Sequence, residues 1–124
     1  MAIRICSPQK KKVKNYLYKI YFNPMLQCFF RNLREYKIPY CIMSRKFGIC
    51  EEGPNNQWYP DCDMLNDEDL LKLLKKQAKK YKGVTFIYWF HRPTHKKWIK
   101  MLKNAGFNIR TERRMKDYEK YRSN

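Results

Sequence analysis

Short runs rich in β-branched and aromatic residues alternate along this chain with stretches whose apolar residues recur at helical spacing. No other feature limits the available folds as strongly. Ala2–Cys6 reads as a first strand, and residues 13–22 fit either an extended or a helical segment. Leu26, Phe29, Phe30 and Leu33 then fall at i, i+3, i+4 and i+7, one face of a helix opened by Asn23-Pro24 and closed before Pro39. Tyr40-Cys41-Ile42-Met43 suits a short buried strand. Leu70, Leu71, Leu74, Ala78 and Tyr81 line the inner side of a second helix. Asn66 or Asp67 caps it, Glu68 and Asp69 lie in its first turn, and Gly83 is expected to end it.

Val84–Phe90 is the most β-like segment and the expected central strand. Thr94 is expected to cap a third helix, with Trp98, Met101, Leu102 and Ala105 inside and Gly106 at its end. Phe107–Thr111 forms a last short strand. The order β-α-β-α-β-α-β predicts an α/β fold: three-layer, with a mostly parallel four-stranded sheet and helices on both faces. Residues 1–111 form a single basic domain and 112–124 a charged C-terminal tail. Ile49 to about Leu65 reads as one long loop, of a length that is usually functional.

A chain of 124 residues fits one domain, and 44% apolar residues with 16% aromatics supply a core without staples. The longest apolar run, Val84–Phe90, is far too short for a bilayer, and Met1–Cys6 leaves no room for a secretory segment. The expectation is a soluble, cytoplasmic protein without a membrane partner. Its five cysteines include no Cys-x-x-Cys pair, so free thiols are expected. Cys6, Cys28 and Cys41 read as small core residues. Cys50 and Cys62 flank a polar loop without standard metal-ligand spacing. Neither they nor the acidic set Asp61, Asp63, Asp67, Glu68 and Asp69 give good reason to expect a metal, and no cofactor is expected.

The formal charge is +17, and it is segregated. Residues 1–34 hold eight Lys/Arg and no acid, and residues 70–111 hold twelve and again no acid. Between them, residues 35–69 hold eight Asp/Glu against three Lys/Arg. Such segregation predicts strong positive fields over two stretches and a local acidic patch between them, which points to a polyanionic partner, DNA or RNA, with a nucleotide as a smaller relative.

In a parallel α/β sheet, ligands bind beyond the carboxyl ends of the strands. The segments there are expected to be Ser7–Lys12, Ser44–Gly48 and His91–His95. They offer Ser7, Lys10, Lys11, Lys12, Ser44, Arg45, Lys46, Arg92 and His95 as anion or nucleic-acid contacts, with Lys14 close by. Trp58 and Tyr59, in the long loop, are the candidates for exposed base stacking, while Trp89 and Trp98 fall on core-facing positions. If chemistry occurs, Ser44, Asp61 and His91 are the candidate catalytic groups, the last two as acid or base.

Cys6-Ser7 with Lys10, then Ile42-Met43-Ser44-Arg45-Lys46-Phe47-Gly48-Ile49, then Tyr59-Pro60-Asp61 resembles a group of small domains. These carry Cys-Ser-x-x-Lys near the start, a strand ending in Ser-x-Lys-(Tyr/Phe)-Gly-Leu, and a later Pro-Tyr-Asp segment. That group is distantly similar to bacterial peroxide-stress proteins that bind DNA and to glycosylase-like domains. The resemblance covers roughly residues 2–65, and here Tyr-Pro-Asp replaces Pro-Tyr-Asp. It implies a nucleic-acid or nucleobase ligand. Two functions therefore compete: a nucleic-acid-binding protein with a basic, aromatic-interleaved surface, and an enzyme acting on a nucleotide or nucleobase at the strand ends.

Overall fold

All five residues of strand β2, Tyr40–Ser44, are buried, as a strand must be when both faces of its sheet are covered. The computed structural model describes residues 1–5, 15–21, 24–57, 59–89 and 93–112. In it β2 joins β1 (Ala2–Ile5), β3 (Gly48–Glu51), β4 (Thr85–Trp89) and β5 (Asn108–Glu112) in one sheet of order β3-β2-β1-β4-β5. Strands β1, β2, β4 and β5 run parallel, and β3 lies antiparallel against β2. Helices α1 (Leu17–Ile20), α2 (Pro24–Glu35), α3 (Asp67–Ala78) and α4 (Lys96–Ala105) complete the described elements, with 3₁₀ turns at Asp61–Asp63 and Pro93–His95.

Strand alternation divides the core in two. Ala2, Tyr40, Ile42 and Ile87 pack with Leu17, Ile20, Leu26, Phe29, Phe30 and Leu33 of α1 and α2. Their strand neighbours Ile3, Cys41, Met43, Phe86 and Tyr88 pack instead with Leu70, Leu74, Ile99 and Leu102 of α3 and α4. Burying each large side chain contributes about 1.5–3 kcal/mol, so these two clusters dominate the folding free energy.

The α/β class with a mostly parallel sheet agrees with the sequence, but the strand count does not. The expected long loop contains a fifth strand, β3, paired with β2 from Ser44↔Gly48 to Cys41↔Glu51. The reversal has no Asn-Gly or Asp-Gly signal. It is made by the Ser44 hydroxyl, which accepts the N–H groups of Lys46 and Phe47, and by Gly48 at φ 70°. The sheet centre is β1 and not the 84–90 segment, because the chain passes from β1 to β2 on one side and then to β4 on the other.

Two helix ends also differ. Helix α3 stops at Ala78, and Gly83 sits in the following turn at φ 84°. The N-cap of α4 is His95 after a 3₁₀ turn, with no side-chain cap, so Thr94 does not have the expected role. Asn66 caps α3 as expected, accepting the Asp69 N–H at 2.8 Å, and Gly106 ends α4 in the left-handed conformation. Cys28, Cys41, Cys50 and Cys62 are free thiols, and the described residues hold no cluster suited to a metal. No described helix is long and apolar enough to cross a membrane.

Candidate nucleic-acid interface

The parallel strands end on one edge, where the turn after β2 lies, and His95 of the 93–95 turn reaches back to Tyr88 of β4. Of the residues expected there, Ser7, Lys10, Lys11, Lys12, Lys14, Trp58, His91 and Arg92 lie outside the described residues. Asp61 lies in the 3₁₀ turn that follows Tyr59-Pro60. Ser44, Arg45, Lys46, Tyr59 and His95 are placed in full.

Ser44 is buried, and its hydroxyl holds the Lys46 and Phe47 amides at 3.2 and 3.1 Å. That turn sets the direction of Arg45, whose N–H donates to the Tyr59 hydroxyl at 3.1 Å and whose carbonyl accepts from Leu65 at 3.0 Å. The Arg45 guanidinium lies 4.8 Å from the centre of the Trp98 ring, and Lys97 Nζ approaches the same ring at 4.8 Å. Lys97 also pairs with Asp67 at 2.8 Å, and Lys46 with Asp63 at 3.4 Å. His95 Nδ1 lies 3.0 Å from the Tyr88 hydroxyl, with the two rings edge to face. The edge thus combines three cationic side chains, a half-buried indole and a histidine on rigid turns.

Tyr59 corrects an expectation. It is only 1% exposed, packed edge-on against Phe47 at 5.5 Å, with its hydroxyl accepting from Arg45. A tyrosine that pins a turn from inside has no free face for a base. The exposed aromatic among the described residues is Tyr16, whose ring lies 5.6 Å from that of Tyr18. Lys19 stands 5.7 Å from both rings, and the Arg34 guanidinium 4.1 Å from Tyr18.

A larger set of exposed lysines lies on and beside α3 and α4. On α3, Lys72, Lys75 and Lys76 are exposed, followed by Lys79 and Lys80; on α4, Lys96, Lys97, Lys100 and Lys103 are exposed. The two helices touch one another and cover the same face of the sheet. Lys72 pairs with Glu68, Lys80 with Glu51 and Lys97 with Asp67. Among the described residues no carboxylate lies within ion-pair distance of Lys75, Lys76, Lys79, Lys96, Lys100 or Lys103. The lysines of α4 were not picked out from the sequence. Their signal was the 96, 100, 103 spacing, opposite Ile99 and Leu102 on the helix.

The acids of residues 35–69 do not form one patch. Asp63 and Asp67 pair with cations near the strand ends, whereas Glu51 pairs with Lys80 at the far end of β3. Glu52 accepts the Leu17 and Tyr18 amides and the Tyr40 hydroxyl. Burial together with that carboxylate pushes the Tyr40 hydroxyl well above its usual range. Glu52 is thus used internally, while Glu68, Glu51 and Asp67 engage only Lys72, Lys80 and Lys97 among these lysines.

Compared with family models, characterised proteins and solved structures, the chain finds no match in any of the three.

Proposed function

We propose that this protein binds nucleic acid through the phosphate backbone, using the outward lysines of α3 and α4. One observation carries the reading: six lysines on or beside two adjoining helices have no carboxylate partner among the described residues. Unpaired like charges on one face repel each other, and a polyanion relieves that repulsion while releasing its own counterions. Helices of 12 and 10 residues are about 18 and 15 Å long, long enough to face several phosphates of a duplex or single strand. Arg45, Lys46 and His95 extend the cationic surface toward the strand ends, and Tyr16 with Tyr18 and Lys19 offers an aromatic contact of the kind that stacks on bases.

Ser44 enters this reading as the residue that shapes the turn carrying Arg45 and Lys46, and not as a nucleophile. The competing enzymatic reading draws no support from its buried, hydrogen-bonded hydroxyl. The experiment is a fluorescence-anisotropy titration of a labelled oligonucleotide at low salt with the native protein and a Lys75→Gln/Lys76→Gln/Lys100→Gln/Lys103→Gln variant. The variant is expected to bind at least tenfold more weakly while unfolding at nearly the native temperature, since its changes lie on solvated positions. Equal affinities would remove these helices from the interface.

A further inference from the structure

Strand β3 forms one edge of the sheet, and its outer side is almost closed by side-chain amides. Ser44 pairs with Gly48 and Ile42 with Cys50, so Phe47, Ile49 and Glu51 turn their backbone groups outward. Gln77 spans one end: its Nε2 donates to the Phe47 carbonyl and its Oε1 accepts the Ile49 N–H, both at 2.9 Å. Asn56 covers the other end, its Nδ2 donating to the Glu51 carbonyl at 2.9 Å. Between these amides the Ile49 carbonyl and the Glu51 N–H remain, and neither has a hydrogen-bond partner among the described residues. They border a depression of about 370 Å³ whose lining includes Cys50, Asn55, Lys80 and Tyr81.

An added β-strand would need a run of open ladder groups. Here Gln77 and Asn56 leave one acceptor and one donor, which suits a planar ligand presenting a neighbouring donor and acceptor on one edge. Every nucleobase does so on its Watson–Crick edge: N6–H and N1 of adenine, N4–H and N3 of cytosine, N1–H and O6 of guanine, N3–H and O4 of thymine or uracil. In a duplex that edge is already engaged, so only an unpaired base can use it. Lys80, exposed at the rim and next in sequence to Lys79, supplies cations for the attached phosphates.

We infer that the outer edge of β3 holds one unpaired nucleobase by its Watson–Crick edge, giving the protein a preference for single-stranded over double-stranded nucleic acid. The inference rests on the nucleic-acid reading above and adds strand discrimination to it.

The test titrates a labelled mixed-sequence 12-mer deoxyoligonucleotide, alone and annealed to its complement, into three proteins at low salt. The native chain is expected to bind the single strand about tenfold more tightly than the duplex, the worth of one or two net hydrogen bonds. Glu51→Pro removes only the outward N–H that an edge strand can spare, along with the carboxylate. Glu51→Ala removes the carboxylate and keeps the N–H. The proline variant should bind the single strand no better than the duplex, while the alanine variant keeps the preference.

A native protein that binds both forms equally, or a proline variant that keeps the preference, overturns the inference and leaves the nucleic-acid reading standing. A native protein that binds neither form overturns both. Should Glu51→Pro fail to fold, the amide resonance of Glu51 in the native protein decides. A downfield shift with slowed exchange on adding the single strand supports the contact, and an unmoved resonance overturns it.

Discussion

Gly48 shows how one residue sets the edge of the sheet. Its φ of 70° is costly for any side chain, and a Cβ there would collide with the Gln77 amide. Gly48→Ala is therefore expected to displace Gln77 from the Phe47 carbonyl and the Ile49 N–H. Left-handed strain and two lost hydrogen bonds together cost about 2–4 kcal/mol, measurable as a lower denaturation midpoint at unchanged m-value. Tyr81 makes a separate prediction. Burial first, and then Glu51 beside it, raise its hydroxyl from the usual 10.0 to about 12. A group whose folded pKa is raised favours the folded state fully below pH 10 and loses that contribution as pH climbs toward 12. The native chain should accordingly lose thermal stability relative to Tyr81→Phe between pH 10 and pH 12, and a constant difference across that range would contradict the assignment.

At the scale of elements, the helices announce themselves through spacing and capping. Leu26, Phe29, Phe30 and Leu33 are all buried on α2, and Asn66 caps α3. Asn66→Ala should cost about 1 kcal/mol, read as a lower melting temperature, because it strands the Asp69 N–H at the start of α3. Strand β3 was not legible. Four residues carry no period, and the turn before it depends on where the Ser44 hydroxyl points, which only tertiary structure decides. The same holds for Tyr59, whose burial follows from Arg45 and Phe47 folding over it and leaves no mark in the order Trp-Tyr-Pro. Helix α3 ends earlier than its apolar spacing predicts because Tyr81 is buried like a helix residue while belonging to the turn beyond it.

For the whole molecule, an acid-free stretch of the sequence becomes a lysine-rich face, while the acids are dispersed. The acid-free stretch from 70 to 111 builds most of α3, all of β4 and α4 and β5 up to Thr111, and its lysines lie on the outer sides of the two helices and in the turn after α3. Charge and helix period mark this face in the sequence, but its α4 half goes unnoticed there. The pairing of acids with cations at the two ends of β3 was not legible, since it depends on a strand absent from the sequence pattern. The central claim is that these lysines bind a phosphate backbone. The most direct measurement is the dependence of oligonucleotide affinity on salt, for the native chain and for the variant lacking Lys75, Lys76, Lys100 and Lys103. The native protein should bind at low salt, with log K falling linearly against log salt. On duplex DNA, each lysine that meets a phosphate adds about 0.9 to the slope, so the variant's slope should be shallower by up to about 3.6. No binding at low salt, or a slope that is flat or unchanged in the variant, would contradict the account.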